Sequence, residues 1–201
     1  SEDLLIGIVL DELKAIRDKH ADERRTSIVE AEEGEFRVED LIADEDVVIT
    51  ATNTGYIKRT ALDSYRSQRR GGKGLIGMTT REEDFVEHLF IANTHAYLLI
   101  FSDRGQLYWL RVYDVPEVGR SSKGKSIANL VHMDEGEKVA ALLRVQEFPE
   151  QEDQQYVVMG TRKGVTKKSA LSAFRNPRAG GISAMGVEHG DSVIAVDISD
   201  G

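Results

Sequence analysis

The residues best suited to chemistry in this sequence are suited to holding anions. Positions 68–74 read Gln68-Arg69-Arg70-Gly71-Gly72-Lys73-Gly74, three cations and three glycines in seven residues. Glycine lets a main chain come close to an oxyanion, and Arg and Lys supply the charge. Positions 119–126 read GRSSKGKS and match the phosphate-binding expression G-x-x-x-x-G-K-S in full. Other chemistries have less to stand on. The histidines at 20, 88, 95, 132 and 189 are scattered without metal-ligand spacing. The chain has no cysteine, which removes disulfides and thiolate sites and fits a reducing compartment. The run Glu82-Glu83-Asp84 reads as a solvated turn, and no nucleophile has a base in motif context.

The elements that must carry these residues show in the charge pattern first. The chain has 201 residues and a net charge of −9, which taken alone argues against a polyanionic partner. The distribution argues the reverse. Positions 30–46 hold Glu30, Glu32, Glu33, Glu35, Glu39, Asp40, Asp44, Glu45 and Asp46 against a single Arg37. Positions 58–73 hold Lys58, Arg59, Arg66, Arg69, Arg70 and Lys73 against a single Asp63. Positions 162–178 hold Arg162, Lys163, Lys167, Lys168, Arg175 and Arg178 with no acid. Local fields, rather than the sum, decide what a surface attracts. No apolar run reaches the ~18 residues of a membrane span, and no signal peptide is visible. The start at Ser1 and the abrupt end at Gly201 suggest part of a longer chain.

Positions 3–20 predict a helix, with Leu5, Ile8, Val9, Leu13 and Ile16 on one face. That face should pack on something else or on a second chain. Residues 1–29 are expected to form this helical region and 30–46 an acidic linker. From 47 onward short β-rich runs succeed one another, at 47–51, 56–60, 75–78, 88–93, 97–101, 107–110, 126–130, 139–145, 157–160, 165–167, 182–185 and 193–197. Turns at Asn53-Thr54-Gly55, Asp103-Arg104-Gly105 and Arg162-Lys163-Gly164 open each group of four. Internal repeats of four strands mark propeller blades. The expected fold is mainly β: a partial propeller of about three four-stranded blades, at about 47–95, 96–145 and 155–201, preceded by one α-helix.

The cations keep phase with the repeat. Lys58 and Arg59 lie three and four residues past their turn glycine, as do Lys167 and Lys168. Arg66 and Arg175 lie eleven past, Lys73 and Lys123 eighteen past, and Arg69, Arg70, Arg120 and Arg178 fourteen or fifteen past. Equal phase puts a charge at the same place on every blade, so the expectation is a basic track along one rim. Simple solvation of loop ends accounts for one such loop less awkwardly than for three. The same phasing speaks against a nucleotide site at 119–126. A P-loop needs a βαβ unit, and this segment shares its repeat position with QRRGGKG and with NPRAGG at 176–181, neither of which fits the expression.

QRRGGKG resembles, residue for residue, the gyrase A box of the C-terminal domain of the DNA gyrase A family. The stretch VVITATNTGYIKRTALDSYRSQRRGGKG resembles the first blade of that domain, and LDELKAIRDKHADERRTSI at 10–28 resembles the last helix of the upstream cleavage region. The resemblance implies a β-pinwheel, a propeller whose blades exchange a strand, with duplex DNA bent around its basic rim to direct ATP-dependent negative supercoiling. The DNA-contacting residues it implies, together with the phased cations, are Gln68, Arg69, Arg70, Gly71, Gly72, Lys73, Gly74, Lys58, Arg59, Arg66, Arg120, Lys123, Lys125, Arg162, Lys163, Lys167, Lys168, Arg175 and Arg178. The family's catalytic tyrosine follows an arginine, whereas Tyr56 follows Gly55, Tyr65 follows Ser64 and Tyr113 follows Val112. This chain is therefore expected to carry no catalytic residue, metal or cofactor of its own. ATP and Mg are expected on the partner subunit. The implied partners are double-stranded DNA, the gyrase B subunit, and a second copy of the gyrase A chain, in the bacterial cytoplasm on the chromosome. Two alternatives are a topoisomerase IV A-type domain, in which the box is lost or degenerate, and a protein-binding propeller, which needs no phased cations.

Overall fold

The computed structural model describes residues 2–20, 38–65, 78, 84–149 and 155–201. The chain divides into two compact units, Ser1–Phe36 and Arg37–Gly201. In the first, α1 (Glu2–His20) ends in Arg17, Lys19 and His20, cations that suit the negative end of a helix dipole. Leu5, Ile8, Val9, Leu13 and Ile16 of its expected apolar face are all exposed.

Among the described residues the second unit has eleven strands in three antiparallel sheets. The first repeat contributes β1 (Asp46–Thr52), β2 (Tyr56–Ala61) and β3 (Val86–Asn93). The second contributes β4 (Tyr97–Ser102), β5 (Gln106–Arg111), β6 (Lys125–Ser126) and β7 (Val139–Val145). The third contributes β8 (Tyr156–Thr161), β9 (Thr166–Ala170), β10 (Ile182–Ser183) and β11 (Val193–Ser199). The pairing does not follow the repeats. The sheets run β3-β1-β2-β6, β10-β5-β4-β7 and β11-β8-β9. Each of the first two sheets takes its outermost strand from the next repeat along the chain. Ile57 pairs with Lys125 and Leu107 with Ile182. The sheets are thus stitched together by strand exchange, as the resemblance implied, and the third sheet has three strands among the described residues.

Each sheet opens on the same hairpin, and the sequence shows why. A hydroxyl three residues before the glycine accepts the N–H of the residue just after it: Thr52 from Tyr56 (3.2 Å), Ser102 from Gln106 (3.1 Å), Thr161 from Val165 (3.1 Å). Gly55, Gly105 and Gly164 all take positive φ at the turn. The unbroken apolar run of β4 has a simple cause. Leu98 and Ile100 join a core shared with Val47, Ile49 and Ile57 of the first sheet, while Leu99 and Phe101 join a core shared with Val157 and Met159 of the third. A central strand buried on both faces has no polar side to alternate with. The expected strands at 126–130 and 182–185 shrink to two paired residues each. After β6 the chain turns into a three-residue 3-10 turn, Ile127–Asn129, which buries Ile127 in the first core.

Candidate nucleic-acid interface

The loop between β5 and β6 shows how a cation-bearing segment is held. Its first part runs beside β2: Arg59 donates its N–H to the Pro116 carbonyl, and Val118 donates back to the Arg59 carbonyl (3.0 and 3.1 Å). Thr60 Oγ1 donates to the Val118 carbonyl at 3.2 Å. The chain then closes a turn, Ser122 N–H onto the Gly119 carbonyl at 3.0 Å, and returns as β6. Strand alternation puts Ile57 in the core and turns Lys58 to the opposite face. There the loop curls over it. The Lys58 ammonium donates to the carbonyls of Gly119 (3.1 Å), Arg120 (2.5 Å) and Ser122 (3.0 Å). The side chain is 0% exposed. Burial pulls its pKa below the ordinary lysine value.

The sequence places Lys58 among the cations that touch phosphate, and the structure corrects that expectation. A buried ammonium whose three donors face three carbonyls reaches no external anion. Its place is inside the loop, shaping it. Arg59 is drawn inward too, 3.3 Å from the Glu117 carboxylate with its side chain 17% exposed.

The glycine that ends this loop is also structural. Gly124 has φ +79°, and a Cβ there would lie 2.3 Å from the Ile57 carbonyl oxygen. Gly181 repeats the arrangement in the next loop, at φ +71° and 2.8 Å from the Leu107 carbonyl oxygen. In both, a strand must come this close for the exchanged strand to pair.

The other phased cations are more accessible. Arg120 and Lys123 are partly exposed, and Lys125, Arg162, Lys163, Lys167, Lys168, Arg175 and Arg178 are exposed. Lys123 lies 3.6 Å from the Tyr56 ring centroid and Lys168 3.8 Å from that of Tyr156, cation–π contacts that orient a charge without neutralising it. Lys163 donates to the His189 carbonyl (3.2 Å) and Lys167 to that of Ala184 (2.6 Å). Among the described residues, the side chains of Arg120, Lys125, Arg162, Arg175 and Arg178 have no acid within ion-pair reach. Arg66 and the stretch from Gln68 to Gly74 lie outside the described residues.

The acidic segment before β1 is used differently. Glu39 meets Arg111 at 2.5 Å and accepts from the Tyr113 hydroxyl at 3.2 Å. Thr94 Oγ1 donates to the Ala43 carbonyl at 2.7 Å. The end of the expected linker is thus fastened to the blades. Nothing in its acidic composition pointed to that.

Residues 119–126 also test the P-loop expression. Gly124-Lys125-Ser126 lead into a two-residue strand and a three-residue turn, with no helix N-terminus to receive a phosphate. Among the described residues no helix is long and apolar enough to cross a membrane.

Small antiparallel sheets joined by strand exchange, with cations on the loops ahead of the exchanged strands, define a pinwheel-type propeller. A family model described as "DNA gyrase C-terminal domain, beta-propeller" matches residues 46–93, 96–146 and 155–200, blade by blade. The gyrase A protein of Clostridium acetobutylicum is 42% identical over 200 residues, covering 100% of this chain and 24% of that protein. That of Mycolicibacterium smegmatis is 47% identical over 188 residues, covering 94% and 22%. A crystal structure of the C-terminal domain of DNA topoisomerase IV superposes with a TM-score of 0.67 at 28% identity, covering 80% of this chain and 47% of that one. The chain belongs to the family of DNA gyrase A C-terminal domains. It spans about a quarter or less of the length of these curated relatives.

Proposed function

We propose that this chain is the DNA-wrapping region of a gyrase A protein: it binds duplex DNA without regard to sequence and bends it around the blade rim. The observation that carries the reading is the pair Arg120 and Arg178, accessible and unneutralised among the described residues at matching places on successive blades of an acidic protein, with further exposed cations on the same loops. Wrapping asks for contacts to the phosphate backbone, which carry charge but no sequence. Bending stiff duplex costs several kcal/mol over ~20–30 base pairs, and many regularly spaced weak contacts offset it. Within this reading QRRGGKG adds its three cations to the first blade, and a type II topoisomerase with a gyrase B partner supplies ATP hydrolysis and strand cleavage. Such a protein works on the bacterial chromosome in the cytoplasm. The gyrase A relatives at 42% and 47% identity over nearly the whole chain favour gyrase over the topoisomerase IV-type alternative.

The test is duplex binding across a salt series. The expected result is affinity that falls steeply with salt, is indifferent to sequence, and is accompanied by bending that is lost when Arg69, Arg70 and Lys73 are all changed to Ala. Salt-independent binding, or no binding, overturns the proposal.

A further inference from the structure

We infer that Lys58 is a positioning residue that turns the loop at 119–123 inside out, so that the outer face of the loop becomes a seat for a DNA phosphate. The inference rests on the DNA-binding reading above and assigns it a specific piece of backbone.

The geometry of the peptide unit is the starting point. All peptide bonds in the described chain are trans, so the C=O and N–H of one peptide point in opposite directions. The carbonyls of Gly119, Arg120 and Ser122 converge on the Lys58 ammonium. The N–H groups of the same three peptides belong to Arg120, Ser121 and Lys123, and they therefore face away from Lys58. Of the loop's N–H groups only that of Ser122 is used among the described residues, on the Gly119 carbonyl. An ammonium inside thus leaves a cluster of free donors outside. Such concave runs of N–H groups bind oxyanions.

Two side-chain observations point the same way. Arg120, the first central residue of the turn, is partly exposed with no acid beside it, and the neighbouring Ser121 hydroxyl is exposed. Lys123 is held against the Tyr56 ring, which fixes its charge at the loop's edge. The full match to the P-loop expression is then no accident of counting. Both structures need small residues and cations where backbone N–H groups must face an anion. A P-loop orients them with a helix; this loop orients them with a buried lysine. The anion it suits is the phosphodiester of a duplex, a single charge on an extended surface.

The test measures duplex association against salt for the whole chain, as four proteins: the parent, Lys58→Met, the pair Arg120→Ala with Lys123→Ala, and all three changes together. Lys58→Met is expected to lower the slope of log K against log salt by about 1, one phosphate contact, although the residue itself is buried. The triple variant is expected to fall below the pair by less than the full Lys58→Met effect, because Lys58 acts in part through the cations of that loop. A folded Lys58→Met protein with the parental slope overturns the inference. So does a triple variant that falls below the pair by the full Lys58→Met effect, since that is what general destabilisation gives. Should Lys58→Met fail to fold, Arg120→Pro set against Arg120→Ala decides instead. Proline deletes one outward N–H and suits the second position of a turn. About tenfold weaker binding than the alanine variant is expected, and equal binding overturns the inference. ATP is titrated alongside; binding at this loop that Lys58→Met abolishes would replace the phosphodiester with a nucleotide and overturn it as well. A parent that binds no duplex fails the function proposed above and this inference together. A parent that binds, with an unaltered Lys58→Met, fails the inference alone.

Discussion

The two cation-bearing loops that precede exchanged strands do the same topological job and are held in opposite ways. The loop at 119–124 is filled from inside by a charged side chain of the neighbouring sheet, Lys58. The loop at 175–181 has no such filler. At the position equivalent to Lys58, the second blade carries Tyr108, which turns instead to the Glu137 carboxylate at 2.8 Å. That loop is fixed from outside. Trp109 Nε1 donates to the Phe174 carbonyl at 2.8 Å, Pro177 limits the chain, and the turn closes by Gly181 N–H onto the Arg178 carbonyl at 2.9 Å. Strand exchange therefore demands a glycine at the re-entry point, at Gly124 and at Gly181, and leaves the loop ahead of it free to vary. Lys167 marks the same position in the third blade. It is exposed, donating to the single carbonyl of Ala184 rather than to a cage of three.

The largest effect should come from exchanging the filler. Lys58→Met keeps the length of the side chain and leaves the Arg120 and Ser122 carbonyls without the ammonium, while Gly119 keeps the Ser122 N–H. Each unsatisfied group costs about 1–3 kcal/mol, so a loss of about 3–4 kcal/mol is expected. Lys167→Met, at the same repeat position but exposed and bonded only to the Ala184 carbonyl, should cost about 1 kcal/mol. Equilibrium urea unfolding of the two variants reads the difference. Equal losses would mean that the carbonyl cage contributes nothing to stability.

Next comes the element the loops share. Gly124→Ala places a methyl 2.3 Å from a backbone carbonyl at a positive φ, and Gly181→Ala places one 2.8 Å from a carbonyl and from the Tyr108 ring. Backbone strain at such positions is worth about 1–3 kcal/mol before any clash. Gly124→Ala should cost about 3 kcal/mol and Gly181→Ala about 2 kcal/mol, because the Tyr108 ring can yield where the Ile57 backbone cannot. Thermal melts that rank the two in reverse would place the tighter re-entry in the other loop.

These two tests separate what the sequence made legible from what it hid. The hairpins were legible, because Gly55, Gly105 and Gly164 need a conformation only glycine adopts readily and flank β-branched runs. The repeat was legible for the same reason, and the stretch from Gln68 to Gly74 stood out by its composition. The role of Lys58 was not. In the sequence it is a cation next to apolar Ile57 on a strand, the usual sign of a solvated face. What buries it is the main chain of residues about sixty positions later, and carbonyl groups leave no mark in a sequence. Nor does periodicity say which sheet a two-residue strand will join; β6 and β10 cross to the preceding blade because Gly124 and Gly181 let them approach. The fastening of Glu39 on Arg111 was hidden likewise, since an acidic run reads the same whether docked or free.

A smaller effect tests the outside brace. Trp109→Phe keeps an aromatic ring against the second core but trims the indole and removes its donor to the Phe174 carbonyl, at a cost of about 1–2 kcal/mol. Hydrogen exchange should rise at 175–181 and stay parental at 119–124. A rise in both would show that the two loops are coupled through β5 rather than held separately.

The smallest effect asks whether the Lys58 clamp depends on the hairpin that feeds its strand. Asp84 is buried, and its carboxylate accepts the Thr54 N–H at 3.1 Å, just ahead of Gly55. Burial pushes the carboxyl up, but hydrogen bonds from Thr54 and Thr52 together outweigh it and leave the pKa below the ordinary value. A carboxyl depressed in the folded state stabilises it in full above its unfolded pKa of about 3.9, and that stability is lost as pH falls through the folded pKa. Asp84→Asn should therefore trail the parent by about 0.5 kcal/mol at neutral pH, and the gap should close as pH falls below the ordinary carboxylate value. Added to Lys58→Met, the same change should be additive if the hairpin and the clamp are independent, and less than additive if the hairpin holds Lys58 in place. A gap that persists unchanged into acid would remove the carboxylate's charge from the account and leave only its shape.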